Sequence, residues 1–181
     1  MSLEPNIIMN SDINIIAECS LSWETLQNKS IMVTGGGGFI GSYLIKSLLH
    51  INKKHNLNLS VICVARKMDS VNHRLIDYLD EKNFKVILHD ISNPLPNDFP
   101  NANFIIHAAS QASPKFYGVD PIGTLSANSI GTLNLLNHAL RNKSDKFLFI
   151  SSAEVYGDPI NPEFPISEKD YGYLDPINIR A

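Results

Sequence analysis

Gly35, Gly38 and Gly41 recur at every third position, directly after the apolar run Ile31-Met32-Val33 and before a stretch whose apolar residues repeat at three and four. A strand that turns through glycine into a helix aims the helix's first unbonded N–H groups at whatever sits over the turn, which favours an anion there. In that context the glycines are the fingerprint of a loop holding a dinucleotide's pyrophosphate. Gly35 is expected to take backbone angles that a side chain forbids, Gly38 to let the backbone approach the phosphates, and Gly41 to let the helix press against the sheet. The amides of Phe39 and Ile40 are among those directed at the anion. Four successive glycines, Gly35 to Gly38, carry an entropic cost that a plain connection does not need. No Gly-Lys-Ser/Thr closes the motif, so a kinase-type phosphate loop is excluded.

The next candidate chemistry lies where the second apolar run ends, Val64-Ala65-Arg66-Lys67. Dinucleotide sites that prefer NAD usually carry an acid here for the ribose hydroxyls, and this chain has none. Arg66 could pair bidentately with a 2′-phosphate, which leans the expectation from NAD towards NADP; an Arg that only stacks on the adenine is the alternative. After the run Phe147 to Ile150 comes Ser151-Ser152-Ala153-Glu154, and the end of a parallel strand is where such sheets place chemistry. His107, directly after an apolar run, reads as a core histidine. The two cysteines, Cys19 and Cys63, are too few and too far apart for a zinc cluster or a disulfide framework, and no metal site is expected. Cys63 reads as a small buried apolar residue. Such cysteine usage points to a reducing, cytoplasmic compartment.

The elements that must position these residues follow from the apolar pattern. Short runs rich in β-branched and aromatic residues occur at 31–33, 59–64, 84–88, 104–106 and 147–150; they lack polar alternation, as strands covered on both faces should. Between them, Ile40, Leu44, Ile45, Leu48 and Leu49 repeat with helical spacing, as do Val71, Leu75, Ile76 and Leu79 after the candidate caps Asp69 and Ser70. A longer helix is expected from about Pro121 to Leu140. The link Asp90 to Asn103 holds Pro94, Pro96 and Pro100 and reads as a loop. Ser11 to Asn28 reads as one or two short helices on the outside. The alternation predicts an α/β fold, a doubly wound parallel sheet with helices on both faces. Residues 1–29 read as a helical extension and 30–181 as the dinucleotide-binding domain.

Composition agrees with that picture. The chain has 181 residues, 44% of them hydrophobic and 18% charged, with a formal net charge of −3, and no dense basic stripe that would serve a nucleic acid. No apolar run approaches the roughly 18 residues that a membrane helix needs. The first five residues do not resemble a secretory signal.

The glycine spacing with the aromatic–aliphatic pair Phe39-Ile40 resembles the extended short-chain dehydrogenase/reductases, the NAD-dependent epimerase/dehydratase family that modifies nucleotide sugars. The resemblance runs from about Ser30 to the end and implies a Rossmann-type fold. It implies that Asp90 and Ile91 contact the adenine, and that Ala108, Ala109 and Ser110 pass beneath the ribose and nicotinamide. Asn128 would brace the catalytic region. The order from Ala109 through Gln111, Ser113, Pro114 and Tyr117 to Asn128 and Leu136 is similar to that of UDP-glucuronate decarboxylases, with Gln111 in place of their usual proline. Gln111, Ser113 and Tyr117 would then border the sugar. Ser152 matches the residue that hydrogen-bonds the hydroxyl being oxidised, and Glu154 matches a glutamate that moves a proton near C5. Ala153 stands where related 4,6-dehydratases carry a proton-donating aspartate, which disfavours dehydration.

The resemblance implies oxidation at C4 of a UDP-uronic acid, loss of CO2 from the resulting β-keto acid, and reduction at C4. It also implies a Tyr-x-x-x-Lys pair. None starts at Tyr117, Tyr156, Tyr171 or Tyr173, where position +4 is Pro121, Ile160, Asp175 and Ile177 respectively. The chain is therefore expected to be the N-terminal portion of a longer enzyme, inactive by itself, with the later strands and the small substrate domain lying outside it. Relatives of this kind dimerise through the helix at about 121–140. A nucleotide-sugar 4-epimerase or 4,6-dehydratase is the neighbouring alternative. A non-catalytic dinucleotide-binding module is the alternative of another class.

Overall fold

Segments dense in β-branched and aromatic residues form strands, and the amphipathic stretches between them form helices. In a computed structural model, which describes residues 4–111, 113, 116–159 and 165–177, the chain runs α1 (Glu4–Glu18), β1 (Ser30–Thr34), α2 (Phe39–His55), β2 (Ser60–Ala65), α3 (Met68–Leu75) and β3 (Phe84–Leu88). It continues through β4 (Phe104–His107), α4 (Pro121–Asn128), α5 (Ile130–Arg141), β5 (Lys146–Phe149), and the two short strands β6 (Asp158–Pro159) and β7 (Gly172–Tyr173). β1 to β5 make one sheet in the order β3-β2-β1-β4-β5, and every pairing in it is parallel. β6 and β7 pair antiparallel, apart from that sheet.

Alternate residues of each strand point to opposite faces, so two cores form. On one face Ile31, Val33, Val61 and Cys63 meet Ile45, Leu48 and Leu49 of α2 and Val71 and Leu75 of α3. On the other, Met32, Ile62, Val64 and Ile105 meet Leu135 and Ala139 of α5, with Ile91, Phe99 and Ala102 from the β3–β4 loop. This is a doubly wound, Rossmann-type sheet. Strand order reverses between β1 and β4, and a crevice opens there beyond the strands' carboxyl ends.

Several boundaries differ from expectation. The stretch 121–140 is two helices that part at Ser129, whose φ and ψ are −107° and −63°. Side chains turn back on the backbone there: Asn128 Nδ2 donates to Thr124 O at 3.0 Å, Ser129 Oγ to Leu125 O at 2.7 Å, and Thr132 Oγ1 to Asn128 O at 2.6 Å. Such bonds compete with the helical ladder and bend it. α1 begins at Glu4, well before Ser11. It lies on α2 through buried Ile13 and Ala17, with Tyr43 donating to Asp12 at 2.6 Å and Lys54 paired with Glu18 at 2.9 Å. α3 starts at Met68 with Lys67 at the cap, so Asp69 and Ser70 fall inside its first turn. Ile76 leaves the apolar face and is 61% exposed, because the chain tightens into a 3-10 turn at that residue. β5 is not covered on both faces: Leu148 is 54% and Phe149 40% exposed, since among the described residues β5 is an edge strand.

Candidate functional site

At the crevice, β1 ends in Thr34 and the chain turns through the glycines into α2. Gly35 has φ +68°, a left-handed conformation, and a Cβ there would lie 2.6 Å from Ala108 O. Gly41 sits in the first turn of α2 against the loop, where a Cβ would collide with Gly35 O. The close approach it permits is helix to loop more than helix to sheet. Gly38 caps α2, donates its N–H to Gly35 O at 2.8 Å and meets nothing else within contact range of an added Cβ. The loop is held from the side as well: Arg74 Nη1 donates to Gly37 O at 3.2 Å, and Ser70 packs against Gly37.

These residues form one wall of an open cleft of about 330 Å³. Gly35, Gly37 and Gly38 line it from the loop, Ala65, Arg66, Lys67 and Ser70 from the end of β2 and the start of α3. Asp90 and Ile91 line it after β3, and Ala108, Ala109, Ser110 and Gln111 after β4. Burial alone would raise the Asp90 carboxyl; two hydrogen bonds from Ser92 (Oγ at 2.6 Å and N at 3.0 Å) and the charge of Arg66 outweigh it and hold the group below the usual carboxylate range. The cleft therefore carries an anion at one wall and the guanidinium of Arg66 near it.

Not every expected residue reaches the cleft. Phe39 and Ile40 are 75% and 53% exposed and do not line it, although their N–H groups belong to the unbonded first turn of α2. Asn128 sits at the α4–α5 break, and its place in the lining is taken by Ala127. Ser113 and Tyr117 flank the turn that leads into α4, outside the cleft. Ser152 and Glu154 follow β5 at the same end of the sheet; Ser152 Oγ accepts from Glu154 N at 3.2 Å and caps the 3-10 turn Ala153–Tyr156. Both are exposed and neither lines the cleft. Val64, Lys67, Ser70, Gly37, His89 and Ala127 also line the cleft, and none of them was among the residues expected to bind coenzyme. Lys67 and Ser70 carried a readable signal, standing three apart at a helix start beside Arg66.

His107 is 1% exposed on β4, with Nδ1 2.8 Å from Thr34 Oγ1 and its ring against Phe149. Burial pushes its pKa down, so it is neutral at physiological pH. No group of three or more potential metal ligands occurs among the described residues.

A family model, the NAD dependent epimerase/dehydratase family, matches residues 31–178. The chain belongs to the NAD-dependent epimerase/dehydratase family. It is 38% identical over 154 residues to UDP-glucuronic acid decarboxylase 6 of Arabidopsis thaliana, covering 85% of this chain and 42% of that protein. It is likewise 38% identical over 154 residues to UDP-glucuronic acid decarboxylase 1 of Xenopus tropicalis, covering 84% of this chain and 34% of that one. The chain thus spans less than half the length of these relatives. Among solved structures, the UDP-N-acetylglucosamine 4-epimerase of Methanobrevibacter ruminantium, in complex with UDP-N-acetylmuramic acid, superposes with a TM-score of 0.62 at 26% identity over 82% of this chain and 44% of that one. The UDP-glucose 4-epimerase of Bifidobacterium longum, in complex with NAD+ and UDP, gives 0.56 at 26% identity over 78% and 42%. The family match starts at β1, so α1 lies outside it.

Proposed function

We propose that this chain forms the coenzyme-binding part of a nucleotide-sugar enzyme that decarboxylates UDP-glucuronate. The observation that carries the reading is the order Ser152-Ala153-Glu154 shortly after β5, at the sheet end where the glycine cradle also lies. The cradle fits a dinucleotide: it has a left-handed Gly35, a Gly38 whose missing Cβ would meet only Gly35 O, and the unbonded first amides of α2. Gly35, Gly38 and the N–H groups of Phe39, Ile40 and Gly41 would hold the pyrophosphate, with Asp90 and Ile91 on the adenine side and Ala108 to Ser110 beneath the other half. When bound, the coenzyme supplies reversible oxidation at C4 of the sugar. Ser152 Oγ orients the C4 hydroxyl, and Asn128 braces the α4–α5 break behind it. Glu154 carries the proton at C5, a position that a neighbouring ketone acidifies. Ala153 has no proton to give a departing hydroxyl, which disfavours dehydration. Gln111, Ser113 and Tyr117 border the sugar.

Arg66 argues for NADP, since it stands at the end of β2 where an acid would favour NAD. Exposed Ile122, Leu125, Leu133 and Leu140 on α4 and α5 suit a homodimer through those helices. Two free cysteines fit a reducing, cytoplasmic setting. None of the tyrosines after β4 (Tyr117, Tyr156, Tyr171 and Tyr173) starts a Tyr-x-x-x-Lys pair, and Tyr78 with Lys82, which has the spacing, precedes β3 and does not line the cleft, so the chain alone binds coenzyme without turning over sugar. The test is incubation of full-length protein with UDP-glucuronate: UDP-xylose and released CO2 are expected. Absence of both, with 4-epimerisation or dehydration of a nucleotide hexose instead, overturns the decarboxylase reading.

A further inference from the structure

Gln111 is a polar side chain only 8% exposed. Its Nε2 donates to Asp120 Oδ2 at 2.8 Å, across nine positions of chain. The other oxygen of the same carboxylate, Oδ1, accepts from Gly123 N at 2.9 Å and caps α4. Asp120 O further accepts from Thr124 N at 3.1 Å and from Thr124 Oγ1 at 2.9 Å. One carboxylate thus holds a helix start and a cleft residue together. Gly123 makes room for the pair: a Cβ there would collide with Asp120 Oδ2 and lie 2.6 Å from Gln111 Nε2.

What the pair joins matters for ligand binding. Ala108 to Gln111 line the cleft from the loop after β4, and α4 lines it through Ala127. β4 lies on the far side of the strand-order reversal from β2 and β3. A doubly wound sheet binds one mononucleotide half on each side of that reversal, so Arg66 and Asp90 serve the adenosine half and the β4 side serves the other. We infer that the Gln111–Asp120 pair is a latch that fixes the post-β4 loop against α4 and so positions the nicotinamide half of the coenzyme. Gln111 and Asp120 are positioning residues, acting through Ala108 to Ser110 and α4. The inference rests on the dinucleotide-site reading above.

Binding of the whole dinucleotide against its adenosine half tests it, with NADP+ and 2′,5′-ADP, or NAD+ and ADP if NAD binds tighter. Gln111→Glu sets a second carboxylate against Asp120 and should weaken dinucleotide binding about five- to tenfold, as expected for a lost hydrogen bond to a charged group, while the adenosine half keeps its affinity. Gln111→Met removes the donor without adding charge and should act in the same direction, which covers the case in which Gln111→Glu does not fold. Asp120→Asn keeps an acceptor for Gly123 N and, with the Gln111 amide turned over, the link itself. The double variant Gln111→Glu/Asp120→Asn restores donor to acceptor and should recover to within about twofold of the parent. A wild-type chain that binds neither dinucleotide overturns the site reading, and the latch with it. A wild type that binds, with both halves weakened equally, with no effect of either Gln111 variant, or with no recovery in the double variant, overturns the latch alone.

Discussion

Gly35 combines a left-handed backbone with a carbonyl in the way of any Cβ, so Gly35→Ala must both strain the turn and push the post-β4 loop. The conformational cost alone is about 1–2 kcal/mol, and the displacement falls on Ala108 and Ala109, which line the cleft. Dinucleotide affinity measured by calorimetry is expected to drop by at least about tenfold. Burial pushes the Cys63 thiol up to about 12, so it stays protonated and inert through the neutral range, while Cys19 is exposed. A thiol reagent at pH 8 should therefore modify Cys19 in the native chain and reach Cys63 only after urea is added. Rapid native labelling of Cys63 would show that the face of β2 against α2 opens.

At the scale of elements, α1 lies outside the matched family region. Ile13 is 3% exposed against α2, whereas Ile15 is 61% exposed on the same helix. Ile13→Ala should cost about 2–5 kcal/mol in urea unfolding, and Ile15→Ala no more than about 0.5 kcal/mol. Equal effects would mean that α1 is not docked as described. α5 is tied to the β3–β4 loop by His138, 4% exposed, whose Nε2 lies 3.2 Å from Pro100 O and whose ring meets Phe99 edge-on. Burial lowers the pKa of both His138 and His107 from the ordinary 6.5. The unfolded chain then takes up protons that the folded chain refuses, so the stability is complete above about pH 6.5 and is lost as pH falls towards the depressed folded values. The melting temperature should fall between pH 7 and pH 5, and His138→Gln should flatten that slope.

For the molecule as a whole, the question is what lies on the apolar surface of α4, α5 and β5. Ile122 and Leu140 are each 78% exposed, and Leu125 and Leu133 are 67% and 57% exposed. Lone exposed apolar residues are ordinary, but several on consecutive helices mark an interface. If that interface is a homodimer, Leu133→Lys should convert a dimer into a monomer in sedimentation experiments while leaving dinucleotide binding intact. A wild-type chain that sediments as a monomer at high concentration would rule it out. Among the described residues no helix is long and apolar enough to cross a membrane, so this surface does not belong to a spanning helix.

The linear order of residues was enough to determine the glycine turn, the five strands of the parallel sheet and the acid-free end of β2, because each depends on local spacing and on the period of the apolar pattern. It also determined that Cys63 would be buried, since it sits inside a run with no polar alternation, and that His107, directly after such a run, belongs to the core. The break at Ser129 was not legible, because it arises where side-chain hydroxyls and an amide outbid the helical ladder within an apolar period that continues unbroken. Arg74 and the Gln111–Asp120 pair were not legible as site elements either. Their roles depend on which segments meet across the reversal of strand order, over separations that no local pattern records, and only the packed sheet brings them together.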